Sequence, residues 1–304
     1  MSERIGVGAA IVSSAVGGMS AAVTLYVIGA TDPITLAAFR FGLGFIFLLP
    51  LALALKSRWP QGKDWIGVAL LGVLFFAVFF SVFNLSLEFT TAARGSLALS
   101  ILPLLTMVVG ASLRVEPLTA RKTLGVLVAI GGVAVSLVTG LADAPAGAWR
   151  GDLIMVAGTL CMALYNVWSR PFIARSSPLA FVAAGMGSGA ACVALIAWSN
   201  GGFAVAGSFG TAQWVAVVYL GMFGAALTFF LWVFALERTT PTRVASTITI
   251  NPVTASILAT ILIGEPIGLN LVVGVAAVFA GIWIASTNPR ADLRRLDPQR
   301  DAVE

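Results

Sequence analysis

Few residues in this chain could make or break bonds. It contains no histidine, which removes His-based acid–base catalysis, Ser-His-Asp triads and the commonest metal ligand together. No GxxxxGK[S/T] phosphate loop and no HExxH zinc helix occur. No acidic pair falls inside an apolar segment, so catalysis has little material. Cys161 and Cys192 both lie within apolar runs, and no disulfide framework is expected. The expectation is a protein that is not an enzyme, with no metal and no cofactor.

What remains suits non-covalent recognition. Phe80, Ser81 and Asn84 share one helical face by their spacing, with Phe79 and Phe83 beside them. Asn84 in an apolar segment needs a hydrogen-bond partner, because an unsatisfied amide there costs several kcal/mol. Tyr165, Asn166 and Trp168 form a second group, and Thr228 and Trp232 a third. Aromatic faces can hold a ring by stacking or an ammonium by cation–π contact. Trp168 lies near a segment end, where an interfacial belt is the ordinary role. Ser100 and Pro103 are echoed by Thr249, Asn251 and Pro252. A proline inside a helix frees a carbonyl, so Pro103 and Pro252 are candidate hinges. Arg40 is the one charge well inside an apolar segment; it should be paired or functional, since burying it costs at least about 2.5–3.5 kcal/mol. Asp32, Glu88, Asp152 or helix-end carbonyls are its candidate partners, as a structural ion pair or outer gate.

The elements that must position these residues are membrane helices. Apolar residues make up 59% of the 304 and charged ones 10%, against roughly 25% charged in soluble domains; the mean hydropathy is +0.99. That excludes soluble enzymes, nucleic-acid binders and secreted disulfide scaffolds. Ten apolar stretches are long enough to span a bilayer, near 5–30, 34–55, 65–87, 95–113, 123–141, 152–169, 179–198, 212–236, 244–263 and 267–287. The first is too long for a cleavable signal. With these spans, fifteen Lys and Arg fall on one side and only Arg94 and Arg150 on the other. The positive-inside rule then places both termini in the cytoplasm.

The chain also repeats itself. Residues 87–137 and 236–286 align without a gap at a shift of 149. The match pairs Glu88 with Glu237, Arg94 with Arg243, Pro103 with Pro252, Glu116-Pro117 with Glu265-Pro266, and Gly132 with Gly281. Pro33, Gly42 and Gly44 match Pro178, Gly187 and Gly189 at a shift of 145. Shared hydrophobicity alone would not align charges and prolines. Five spans per half is an odd number, so the second copy enters the membrane inverted, an architecture typical of transporters. The expected units are 1–145, 146–288 and a cytoplasmic tail at 289–304. The Glu-Pro turns read as helix punctuation, each starting the helix that follows.

The order and duplication of these motifs, from Pro33-x6-Arg40 through the Pro103 helix and Glu116-Pro117 to Gly125 and Gly132, and again from Leu236 to Gly281, resemble the drug/metabolite transporter superfamily, the ten-helix EamA-like exporters. Gly185 stands where a repeated Arg40 would fall. The resemblance implies an all-α integral membrane protein of the bacterial inner membrane, multi-pass, that exports small molecules by alternating access. Its nearest likeness is to exporters of amino acids, aromatic ones included. A multidrug or nucleotide-sugar carrier is the alternative. With no acid at a span centre, the residues argue for facilitated diffusion or coupling through an interfacial acid. An uncharged, aromatic, hydroxyl-bearing pocket suits zwitterionic or weakly polar solutes and suits multiply charged nucleotides poorly. The expected partners are a small-molecule substrate and the lipid bilayer, not nucleic acid, with the chain as a monomer.

Overall fold

The computed structural model describes residues 2–114, 120–139 and 144–286. Glu116 and Pro117, and the tail with Arg290, Arg294, Arg295 and Arg300, lie outside the described residues. Among the described residues the regular structure is helical throughout, with no strand. The helices are α1 (Ser2–Ile28), α2 (Pro33–Ala54), α3 (Asp64–Leu87), α4 (Ala92–Ser112), α5 (Ala120–Thr139), α6 (Ala148–Arg175), α7 (Pro178–Ser199), α8 (Thr211–Arg238), α9 (Pro241–Ile263) and α10 (Leu269–Ser286). Eight are long and apolar enough to cross a membrane: α1 to α4 and α6 to α9. The shorter apolar pair, α5 and α10, pack along each other. Helices suit lipid because they satisfy their own backbone hydrogen bonds.

The sequence repeat is a structural repeat. The caps recur: Asp32 caps α2 ahead of Pro33 by accepting from the Ile34 and Thr35 amides, both at 3.0 Å, and Ser177 caps α7 ahead of Pro178. Thr91 caps α4 by accepting from the Arg94 amide, and Thr240 caps α9 by accepting from that of Arg243. Both α3 and α8 contain a π-helical stretch, at Val73–Phe79 and Met222–Leu227, offset by the same 149 residues. π turns are rare insertions that loosen the backbone ladder and often mark functional sites.

Both α4 and α9 are broken. α4 runs Ala92–Leu99 and restarts at Leu102–Ser112, while α9 runs Pro241–Ser246, a tight turn and then Asn251–Ile263. Pro103 and Pro252 therefore do not kink a continuous helix, as the sequence suggested. Each stands in the first turn of a new one, where its missing N–H has no partner to lose.

The halves interleave. α1 packs on α8 and α9 of the second half, and α6 packs on α3 and α4 of the first. α2 lies against α7. Small residues permit these approaches. A Cβ on Gly72 would sit 2.1 Å from the Gly185 carbonyl, and one on Gly189 would sit 2.7 Å from that of Gly72. At the repeat-related place, a Cβ on Gly221 would lie 2.5 Å from the Leu43 Cβ.

Candidate functional site

The site is a cavity lined by residues of both halves, most of them apolar, as the walls of small-molecule sites are. α1 contributes Ser13, Ser14 and Gly17, and α2 contributes Arg40. α3 supplies Phe79, Phe80 and Phe83, and α8 supplies Thr228, Phe229 and Trp232. Leu99, Met162, Ile248 and Asn251 complete the wall.

The wall is aromatic and preorganised. Phe229 meets Phe75, Phe76 and Phe80 edge-on at 5.2–5.3 Å between ring centroids, and such contacts add about 0.5–1.5 kcal/mol each beyond buried area. The Trp232 indole N–H donates to Asn166 Oδ1 at 2.9 Å, which fixes the ring plane. Tyr165 stacks on Phe75 behind the wall, 4.2 Å between centroids. Ser13 Oγ donates to the Thr228 carbonyl, and the Thr228 hydroxyl donates to the Phe223 carbonyl in the π stretch. The Asn251 side-chain oxygen is buried without a partner.

Arg40 departs from expectation. It is 3% exposed and reaches the cavity instead of an acid. Nη2 donates to the Gly224 carbonyl in the π stretch of α8 at 2.7 Å, while Nε and Nη1 have no partner. Its guanidinium lies 4.8 Å from the Phe80 ring centre. The three candidate acids are engaged elsewhere. Asp32 caps α2, eight residues or about 12 Å of helical rise away. Asp152 binds Arg94, and Glu88 stands at the end of α3 near Asp32. Desolvation first, and the Asp32 charge second, push the Glu88 carboxyl above its usual range. The expected ion pair of Arg40 with Asp32 or Glu88 is thus absent, and the pocket is not uncharged.

Of the other residues singled out from sequence, Phe79, Phe80, Phe83, Thr228, Trp232 and Asn251 come together at the cavity. Ser81, Asn84, Ser100, Tyr165, Asn166, Trp168 and Thr249 do not line it. Asn84 donates to the Pro33 carbonyl at 2.9 Å and ties α3 to the start of α2. Ser100 and Thr249 bond back to their own helices. Tyr165 and Asn166 support the wall from behind. Trp168 is 44% exposed on the outside of the bundle, so it cannot wall the cavity. Sequence reading passed over α1, although Ser13, Gly17, Ser20 and Thr24 form a small-residue stripe at helical spacing within it.

A second pair of sites flanks the cavity. Arg94 and Asp152 pair at 2.5 Å, both side chains 8% exposed, with Thr90 Oγ1 donating to Asp152 at 2.9 Å. The Leu137 carbonyl accepts from Arg94 as well. The repeat-related residues Arg243, Glu3 and Thr239 repeat the arginine–carboxylate pair and the threonine–carboxylate hydrogen bond. There the arginine is 53% and the glutamate 49% exposed. Glu265 does not start the helix after it, as its Glu-Pro turn suggested. Its carboxylate accepts from the Ala93 amide at 3.2 Å and so caps α4 of the other half.

Two interleaved copies of one helical unit around a shared cavity agree with the comparisons to known proteins. The EamA-like transporter family matches residues 4–138 and again 149–287. The chain belongs to the EamA-like transporter family. It is a multi-pass membrane transporter by family and by its helices. Among its relatives, the "Uncharacterized transporter YyaM" of Bacillus subtilis (strain 168) is 24% identical over 86% of this chain and 87% of its own. The "Probable terminal-alkyne amino-acid exporter" of Streptantibioticus cattleyicolor is 27% identical over 76% of each. A solved structure described as "Crystal structure of protein" superposes with a TM-score of 0.68 at 22% identity, covering 97% of this chain and 98% of that one. It shows that the EamA chain shares its fold.

Proposed function

We propose that this protein is a bacterial inner-membrane carrier that exports neutral amino acids, aromatic ones included, or similar small metabolites. One observation carries the reading: an aromatic-walled cavity whose lining comes from both halves of a duplicated chain. The amino-acid exporter among its relatives supports the substrate class. In this reading all ten helices cross the membrane, α6 to α10 are inverted relative to α1 to α5, and the carrier works as a monomer. The Lys and Arg bias puts both termini in the cytoplasm.

The halves would rock about the cavity, and the two Thr–Arg–carboxylate sets serve as gates. With the termini inside, the buried Arg94–Asp152 set faces out and the exposed Arg243–Glu3 set faces in. The structure is then sealed outside, and the two sets exchange burial when the carrier turns over. Among the described residues the cavity lining holds no carboxylate to cycle a proton, which favours facilitated movement down whichever gradient exists. A multidrug carrier is the competing reading.

The test uses purified protein in liposomes preloaded with labelled phenylalanine. Faster release than from protein-free liposomes supports the reading, and Trp232→Ala should slow it while Trp168→Ala leaves it unchanged. No release of amino acids, together with movement of cationic drugs, replaces it with the multidrug carrier.

A further inference from the structure

We infer that Arg40 is the receiver for a substrate carboxylate, so the cavity selects small monocarboxylates with an apolar body and rejects their neutral and cationic counterparts. This deepens the transport reading above and rests on it.

A guanidinium 3% exposed within a membrane bundle needs a counter-anion, because a buried charge without one is costly. None of the described residues supplies it. Arg40 lines the cavity, donates to one backbone carbonyl and leaves Nε and Nη1 buried without a partner. Nε and an Nη nitrogen form the planar fork that pairs with a carboxylate through two parallel hydrogen bonds. Gly224 also keeps α8 close to α1 beside the arginine: a Cβ there would stand 2.6 Å from Ser20 Oγ. The Phe80 and Phe41 rings, 4.8 and 5.5 Å from the guanidinium carbon, hold it by cation–π contact and keep water from one face.

Charge fixes the class. Arg40 is the sole ionisable side chain among the described residues lining the cavity. A single carboxylate neutralises it. A phosphate dianion would leave one charge unpaired, and an amine without a carboxylate would meet a like charge in an apolar chamber. An amino acid fits through its carboxylate, and its ammonium finds the unpartnered Asn251 oxygen and the ring faces of Phe79, Phe83 and Trp232. The rest of the wall is apolar and takes the side chain.

The experiment is counterflow into proteoliposomes of the full chain, corrected for protein-free vesicles, with three probes that share one ring: phenylalanine, 3-phenylpropionate and phenylalaninamide. A hydrogen bond to a charged group contributes about 1.5–3 kcal/mol, or roughly ten- to hundredfold. The two acids should therefore exchange at least about tenfold faster than the amide. Arg40→Gln should erase that preference, and Arg40→Lys should keep part of it. Where Arg40→Gln fails to fold, the acid-to-amide ratio of the unaltered protein decides alone. Equal exchange of all three probes, or an acid preference that survives in Arg40→Gln, overturns the carboxylate site and leaves the carrier reading standing. Exchange of none overturns both.

Discussion

Asp152→Asn should unseal the outer gate. Unit charges 2.5 Å apart, the Arg94–Asp152 distance, attract by about 7 kcal/mol at an effective dielectric of about 20. Much of that offsets desolvation of the pair. Removing one partner of a buried pair nonetheless costs about 3–5 kcal/mol, because the other charge stays behind. Arg94 would keep only the Leu137 carbonyl and a neutral amide. If the pair is shut in only when the outside is sealed, this cost falls on the sealed state alone. It shifts the ratio of sealed to outward-open protein by roughly 140- to 3,700-fold, at about 1.4 kcal/mol per tenfold. Glu3→Gln, at the exposed counterpart, should change the balance by less than about 1 kcal/mol. The assay replaces Cys161 and Cys192 by serine, places a cysteine at the cavity residue Leu99, and follows labelling by an impermeant maleimide added outside. Much faster labelling in Asp152→Asn and little change in Glu3→Gln are expected. Equal labelling rates in the two variants would refute the assignment of the buried set as a gate.

Three further outcomes follow from the packing and the charges. Gly72→Ala should lower thermal stability in detergent by about 1–3 kcal/mol through overpacking, since its Cβ would meet the Gly185 carbonyl at 2.1 Å, whereas Gly42→Ala, with nothing within 4 Å, should be near neutral. Asn166→Ala leaves the Trp232 N–H buried without an acceptor, at about 1–3 kcal/mol; the Asn166→Leu, Trp232→Phe pair should recover most of the thermal stability lost in Asn166→Ala. The raised Glu88 carboxyl opposes folding above its folded-state pKa, and that penalty is lost as pH falls below the unfolded-state value. Stability measured on acidification should therefore rise more in the unaltered protein than in Glu88→Gln.

Composition and motif order alone are enough for the environment, the helices and the duplication. With 10% charged residues the chain has to lie in lipid, and lipid leaves helices as the way to satisfy these backbones. The paired caps at Asp32 and Ser177, and at Thr91 and Thr240, are local chemistry, but from sequence Asp32 reads as a partner for Arg40 instead. The aromatic wall was half legible. Phe79, Phe80, Phe83, Thr228 and Trp232 reach the cavity, but Trp168 and Asn84 do not. Which face of each helix turns inward emerges from the packing of the whole bundle. In water, polar residues mark the outer face. In hydrocarbon the outer face is as apolar as the inner one, so the periodicity that would place Trp168 outside and Ser13 inside is nearly silent. The same holds for charge partners. Arg40 meets Gly224, Asp152 meets Arg94 and Glu265 caps α4, because interleaved halves bring together residues 58 to 184 positions apart.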